Sequence, residues 1–214
     1  MELNAANHAC SYIIQSQEDE IKRIALELHE GINQNLYSLY TGLGYLESGI
    51  KEPHMKSYAK EMASLMERTI QEVRLLSVGL YPNTITTLGL EAAIKSYAKL
   101  FTDTFGVLIA IKSSGRERTM AEQRSMTVFR VCQEALINIA KYADASSAEI
   151  QFTWKEKSLK IEIKDAGKGF NLESGIERFT GIAAMKERML IAGGQFYISS
   201  EEGKGTTVTI TLPI

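Results

Sequence analysis

Between residues 18 and 47, apolar side chains recur in steps of three and four: Ile21, Ile24/Ala25, Leu28, Ile32, Leu36, Leu39, Leu43 and Leu46. That period places them on one stripe of an α-helix, which at about 1.5 Å per residue is roughly 45 Å long. Gly49 and the Glu52-Pro53 junction end it, because proline restricts its predecessor and cannot continue the hydrogen-bond ladder. A second helix runs from about His54 to Leu80, with Met55, Tyr58, Met62, Leu65, Thr69, Val73 and Leu76 on one face. The short connection makes the pair an antiparallel hairpin. Two helices bury only one face against each other. The leftover Leu, Ile and Met positions want a second copy, which closes a four-helix bundle, or the rest of the chain.

Beyond the hairpin the period changes. Residues 88–105 and 121–140 read as helices and 107–111 as a short strand. Alternation at 148–154 and 159–164, around the turn Lys155-Glu156-Lys157-Ser158, predicts a β-hairpin. A helix at 181–192 and a second hairpin, 195–200 with 206–212, close the chain. Helices against a mixed or antiparallel sheet make an α+β sandwich rather than a doubly wound fold. No glycine run has the spacing and context of a dinucleotide fingerprint or a Walker loop.

Composition bounds the partners. With 214 residues, a 44% apolar fraction and three prolines, the chain has a real core and room for two modest domains. A net charge of −2 offers no electrostatic case for nucleic acid. Two cysteines, Cys10 and Cys132, lack metal-ligand spacing, and a reduced, cytoplasmic setting follows. No stretch approaches eighteen apolar residues, so this chain is expected not to span a membrane itself, although it fits the cytoplasmic part of a larger membrane-bound sensor.

Four places carry candidate chemistry. His29 lies beside the apolar line, with Glu30 next to it and Gln34 on the same flank. A neutral imidazole nitrogen is a nucleophile near pH 7, and a neighbouring carboxylate can orient the ring or take its proton. A solvated histidine beside a solvated glutamate is the ordinary alternative. Glu134 and Asn138 stand four apart on one helix, a carboxylate and an amide oxygen on one face and suited to Mg²⁺ beside phosphates. Asp165 closes a strand before Ala166-Gly167-Lys168-Gly169; its carboxylate can accept from an adenine amino group while the glycines admit the base, or the segment is an ordinary polar turn. Gly203-Lys204-Gly205-Thr206 can wrap phosphates with backbone amides, or simply join two strands. A loop at 171–180 is expected to cover such a site, with Gly181 opening the helix behind it.

Taken together, residues 18–213 resemble the transmitter region of a two-component sensor histidine kinase, in which a dimerisation and histidine-phosphotransfer hairpin precedes a gyrase/Hsp90-like ATPase domain. The family's acceptor motif resembles E-L-H-D-x-x-x-Q, and residues 27–34 here read E-L-H-E-G-I-N-Q. The resemblance implies that His29 is phosphorylated, that Glu30 assists transfer and that Gln34 assists hydrolysis of the phosphorylated partner. It implies ATP and Mg²⁺, with Asn138 and Glu134 at the metal and Lys141 near the phosphates. Asp165, Gly167 and Gly169 would contact adenine, Gly181 would open the lid-side motif, and Gly203, Gly205 and Thr206 would form the last glycine box. The implied organisation is a lead-in at 1–17, the hairpin at 18–82 and the ATP-binding domain at 83–214. The implied partners are a second copy through the 18–82 helices and a response regulator.

The chain departs from the pattern at Glu30 in place of aspartate, Tyr142 in place of histidine, Ala166 where Asn or Asp is common, and a short lid motif. None removes His29, Asn138 or Asp165, so activity is expected to survive. The rival readings are an ATP-dependent protein serine kinase, which needs no histidine-bearing hairpin, and a dimeric nucleotide-dependent switch without catalysis.

Overall fold

The computed structural model describes residues 16, 17, 19–171 and 180–214. The chain divides into two units, Met1–Pro82 and Asn83–Ile214.

The first unit is a helical hairpin. Its first helix, α1 (19–49), is interrupted by a π-helical turn at Leu28–Ile32 before continuing as α-helix over Asn33–Gly49. The turn closes where the Asn33 N–H bonds the Leu28 carbonyl, five residues back. One residue per π-turn is extra, so the inward stripe skips a place. Ala25 and Leu28 point inward, and the next inward residue is Asn33, after which Leu36, Tyr40 and Leu43 resume the usual steps. Ile32, expected on the main apolar line, is instead 42% exposed, while Asn33 is 5% exposed. The second helix, α2 (Pro53–Leu80), starts as its residues dictate. Pro53 occupies the first turn, and the Glu52 carboxylate accepts from the backbone N–H groups of His54 (3.3 Å) and Met55 (2.9 Å). Its inward stripe includes Ala59, Ala63, Met66, Ile70, Val73 and Ser77, whereas Met55, Tyr58, Met62, Leu65 and Leu76 of the expected face are exposed. The hairpin thus closes on Ala59, Ala63, Met66 and Ile70 of α2 and leaves several larger apolar residues of both helices outside.

The second unit begins with a short helix, α3 (Thr84–Leu88), inside what the chain pattern suggests is a plain junction, followed by α4 (Leu90–Phe105). Then come β1 (Leu108–Ser114), α5 (Glu122–Asn138, prolonged by a π-turn at Ile139–Ala143), β2 (Ser147–Trp154) and β3 (Ser158–Asp165). Helix α6 (Thr180–Ile191), β4 (Gln195–Glu201) and β5 (Gly205–Pro213) complete it. The strands form one sheet in the order β1-β2-β3-β5-β4. β1 pairs parallel with β2, and the other neighbours are antiparallel. The parallel pair needs a crossover, which α5 supplies, so the fold is α+β with a mixed sheet.

Alternation puts Ile150, Phe152, Ile161, Ile163, Val208 and Ile210 on one buried face of the sheet. Ile94 and Phe101 of α4, Phe129 and Leu136 of α5 and Met185 and Met189 of α6 are buried with them. Tyr97 meets Phe129 edge-on at 5.5 Å between ring centroids, the offset arrangement that aromatic quadrupoles favour.

Helix α4 has no cap of its own, since Gly89 precedes it. The Glu117 carboxylate, from the loop after β1, accepts from the Glu91 N–H at 3.1 Å and lies where a side chain on Gly89 would need to be. Glu117→Ala should therefore cost about 1 kcal/mol, the usual value of a lost helix cap. Urea unfolding of the chain measures it, and an unchanged midpoint would sink this capping role.

Candidate functional site

A pocket of about 420 Å³ opens between the end of α5, the start of α6 and the strand ends of β3, β4 and β5. That volume is within the range of small-molecule sites. Its apolar lining includes a cross-strand row: Ile163 of β3 pairs with Val208 of β5, which pairs with Ile198 of β4. Ile182 and Met185 of α6 add to the apolar lining. Such a surface suits a flat, poorly hydrated ring.

Asp165 ends β3, two residues beyond Ile163 and on the same strand face. Its side chain is 3% exposed. Oδ1 accepts from the Gly167 N–H (2.9 Å) and the Thr206 N–H (3.3 Å). These bonds fix the carboxylate plane and leave Oδ2 as an acceptor beside the apolar lining. A carboxylate is an acceptor only, so the group it selects is an N–H donor on a ring, such as an exocyclic amine.

The glycines divide into two groups. Gly169 lines the pocket with a φ of 58°, and a Cβ there would run into the Glu201 carbonyl. Gly181 lines it too, and a Cβ there would collide with Glu134 Oε1 and come within 3.5 Å of Asn138 Nδ2. Gly167, Gly203 and Gly205 are not among the lining residues. Gly167 fits against the Ala143 carbonyl and Gly205 against that of Asp165, while the Gly203 N–H bonds the Lys168 carbonyl at 2.7 Å. Gly167 and Gly205 let backbones approach one another, and Gly203 takes a φ of 78° in the turn between β4 and β5; none of the three faces the cavity.

Of the residues singled out in the sequence, Glu134, Asn138, Lys141, Asp165, Gly169, Gly181 and Thr206 line this one pocket. The π-turn that prolongs α5 carries Lys141 and Tyr142 at its rim. Lys168 is a second cation there, not assigned a role by motif; its neighbours Gly167 and Gly169 drew attention because glycines are readable as punctuation and an isolated lysine is not. The apolar row was equally unmarked, since it depends on strand register. The loop expected at 171–180 falls mostly outside the described residues, which resume at Thr180. Cys132 is fully buried in α5, and burial pushes its thiol up to about 12, so it is not a nucleophile at neutral pH.

Glu134 and Asn138 supply a carboxylate and an amide oxygen to the rim. Among the described residues no three His, Cys, Asp or Glu side chains converge to cage a metal. The pair fits a hard divalent cation that completes its shell with water and phosphate oxygens, as Mg²⁺ does.

His29, Glu30 and Gln34 belong to the first unit, and all three are exposed. His29 and Glu30 lie within the π-turn, and Gln34 follows it. No helix among the described residues is long and apolar enough to cross a membrane.

Comparison with known proteins agrees with this division. Residues 20–85 match a family model described as histidine kinase, and residues 123–214 match one described as histidine kinase-, DNA gyrase B-, and HSP90-like ATPase. The oxygen sensor histidine kinase NreB of Staphylococcus carnosus (strain TM300) is 34% identical over 203 residues, covering 94% of this chain. The chain spans 58% of that relative's length. Among solved structures, the histidine kinase domain of the Erythrobacter litoralis EL346 blue-light activated histidine kinase aligns with a TM-score of 0.52 at 15% identity, over 84% of this chain and 94% of that one. The longer EL346 chain aligns with a TM-score of 0.51 at 15% identity, over 83% of this chain and 59% of its own. These structures share the fold. With one family model over the hairpin and the other over the pocket-bearing unit, this chain belongs to the histidine kinase family.

Proposed function

We propose that the chain transfers the γ-phosphoryl group of ATP to His29 and then to an aspartate of a separate response regulator. The observation that carries the reading is the pocket, where a buried, pre-oriented Asp165 carboxylate stands beside an apolar lining in a chain whose other unit exposes His29. Adenine would lie on the Ile163–Val208–Ile198 row with its amino group donated to Asp165 Oδ2. The phosphates would extend toward Asn138, Lys141 and Thr206. Mg²⁺, held by Asn138 and Glu134, would supply charge neutralisation at the phosphate oxygens.

His29 Nε2 attacks the γ-phosphorus in line. The N–P bond forms as the bond to the bridging oxygen breaks, and ADP leaves. Glu30 balances the charge that develops on the imidazole. The phosphohistidine passes its group to the regulator's aspartate, and Gln34 positions a water that later hydrolyses the acyl phosphate. In this reading residues 18–82 are the dimerisation and phosphotransfer unit and residues 83–214 the ATP-binding unit. Dimerisation is supported by the apolar residues that the hairpin leaves outside: Ile32, Leu39 and Leu46 at seven-residue spacing on α1, with Met55, Tyr58, Met62 and Leu65 on α2. A second copy of the same stripes would cover them.

The test is incubation with γ-labelled ATP and Mg²⁺, comparing the chain with His29→Gln. Acid-labile, base-stable label that disappears in the variant is expected. Label retained by His29→Gln, or label stable to acid, would overturn the assignment.

A further inference from the structure

Strand register continues the pocket one step beyond its apolar row. Ile198 of β4 stands opposite Val208 of β5, and Ser200, two residues on, stands opposite Thr206. Residues two apart on a strand share a face, so Ser200 follows Ile198 and Thr206 follows Val208 toward the end of the sheet where Asp165 closes β3. There the Thr206 N–H bonds Asp165 Oδ1 at 3.3 Å. A polar row, Asp165–Thr206–Ser200, therefore lies beside the apolar row Ile163–Val208–Ile198. Asp165 and Thr206 line the pocket; Ser200, on the far side of Thr206 from Asp165, does not.

The Ser200 hydroxyl has its capacity filled. Oγ accepts the Phe170 N–H at 3.0 Å, lies 3.1 Å from the Gly205 carbonyl oxygen and 2.9 Å from Thr206 Oγ1. A serine hydroxyl has one proton and two lone pairs, which these three contacts use. Two of the partners are backbone groups, and they fix where Oγ sits. Their own segments are tied together independently: the Gly203 N–H bonds the Lys168 carbonyl at 2.7 Å, and Gly169 lies so near the Glu201 carbonyl that a Cβ would not fit. The third contact passes this fixed position to the side chain of Thr206. Without it, rotation about χ1 can exchange Thr206 Oγ1 with the methyl group, and a different surface then meets whatever fills the pocket.

Resting on the reading of the pocket as a nucleotide site, we infer that Ser200 is a positioning residue for bound nucleotide. It holds Thr206 in the rotamer that the ligand meets and does not touch the ligand itself. The role follows from register, since a serine just before a glycine turn is ordinary when read along the chain.

Calorimetric titration of the full chain with ADP tests this, without dependence on phosphoryl transfer. Ser200→Ala is expected to weaken ADP about tenfold, the value of one hydrogen bond. Ser200→Thr, which keeps the hydroxyl and suits a strand, should bind within about twofold of the parent. Thr206→Val keeps the backbone N–H to Asp165 and should also lose about tenfold. Adding Ser200→Ala to Thr206→Val should cost less than about twofold more, because residues that act through one another are not additive. Circular dichroism checks each fold, and Ser200→Cys, similar in shape with a weakly bonding thiol, replaces Ser200→Ala if that variant does not fold. Parental affinity in folded Ser200→Ala overturns the inference. So does a loss that Ser200→Thr fails to restore, which makes Ser200 a packing residue, and so does a double variant weakened about a hundredfold, which makes the two hydroxyls independent. Failure of the parent itself to bind ADP overturns the nucleotide reading beneath it, and the parent alone decides that.

Discussion

Asp165→Asn is expected to weaken binding of ATP and ADP at least a hundredfold, about 3 kcal/mol. The substitution is nearly isosteric, and the amide oxygen can still accept from the Gly167 and Thr206 N–H groups that Oδ1 now serves. What changes is the other atom. In place of Oδ2 the variant presents an NH₂ group, so a donor faces the adenine amino donor in a buried place that water cannot relieve. The fold should survive, because the strand-end hydrogen bonds remain. Calorimetric titration with ADP measures the affinity, and circular dichroism checks the fold. Unchanged affinity in a folded Asp165→Asn chain would mean that the base does not sit against β3. A guanine nucleotide should bind the parent poorly for the same reason, since it offers a carbonyl where adenine offers an amine.

Glu91→Ala is expected to destabilise the second unit by about 3 kcal/mol, enough to lower its melting temperature by about 10 °C. Glu91 is buried on α4 yet charged. Burial by itself would raise its carboxyl, but hydrogen bonds from Ser113, Trp154 and Lys95 outweigh that and hold it below the usual carboxylate range. Trp154 Nε1 donates to Oε1 at 2.6 Å, Ser113 Oγ donates to the same oxygen, and Lys95 Nζ reaches Oε2 at 3.2 Å. One carboxylate thus ties α4 to both β1 and β2. Alanine leaves the buried indole N–H without an acceptor, which costs more than the bond itself contributed.

The pH dependence has a definite sign. A carboxyl whose folded pKa lies below its unfolded value contributes stability that is fully present above the unfolded pKa and is lost as pH falls through the folded one. The gap between parent and Glu91→Ala should therefore be widest near neutrality and should narrow in acid, below the ordinary carboxylate range. Thermal melts across that range test it. A gap independent of pH would show that the side chain acts through packing and not through its charge.

Much of this molecule is legible before folding. Proline, glycine and period mark the hairpin: α1 ends at Gly49 and α2 begins at Pro53. Alternation of apolar residues marks β2, β3 and β5, because a strand with one face on a core must repeat every two residues. The pocket residues Glu134, Asn138 and Asp165 are readable because hard oxygen donors at those spacings on a helix and a strand end suit a metal–phosphate ligand and a base. Other features are not local. The sequence marks the two hairpins but not that β3 lies beside β5, so the Ile163–Val208–Ile198 row that lines the pocket exists only once β3, β5 and β4 are in register. Glu91 reads as an ordinary exposed helical carboxylate until Ser113 and Trp154 arrive from β1 and β2.

The sequence by itself determined the two-unit order, the helical hairpin with a histidine on it, and the alternating strands, since each follows from periods and caps that act over a few residues. The tertiary structure decided which face of each helix turned inward. On α2 the inward line runs through Ala59, Ala63, Met66 and Ile70, one step away from exposed Tyr58, Met62 and Leu65. On α1 the π-turn moved that line from Ile32 to Asn33. Hydrophobicity favours the opposite choice at that position, and only the packing of the assembled hairpin, in which one extra residue in a turn rotates everything after it, settles where a polar amide is buried one turn from His29.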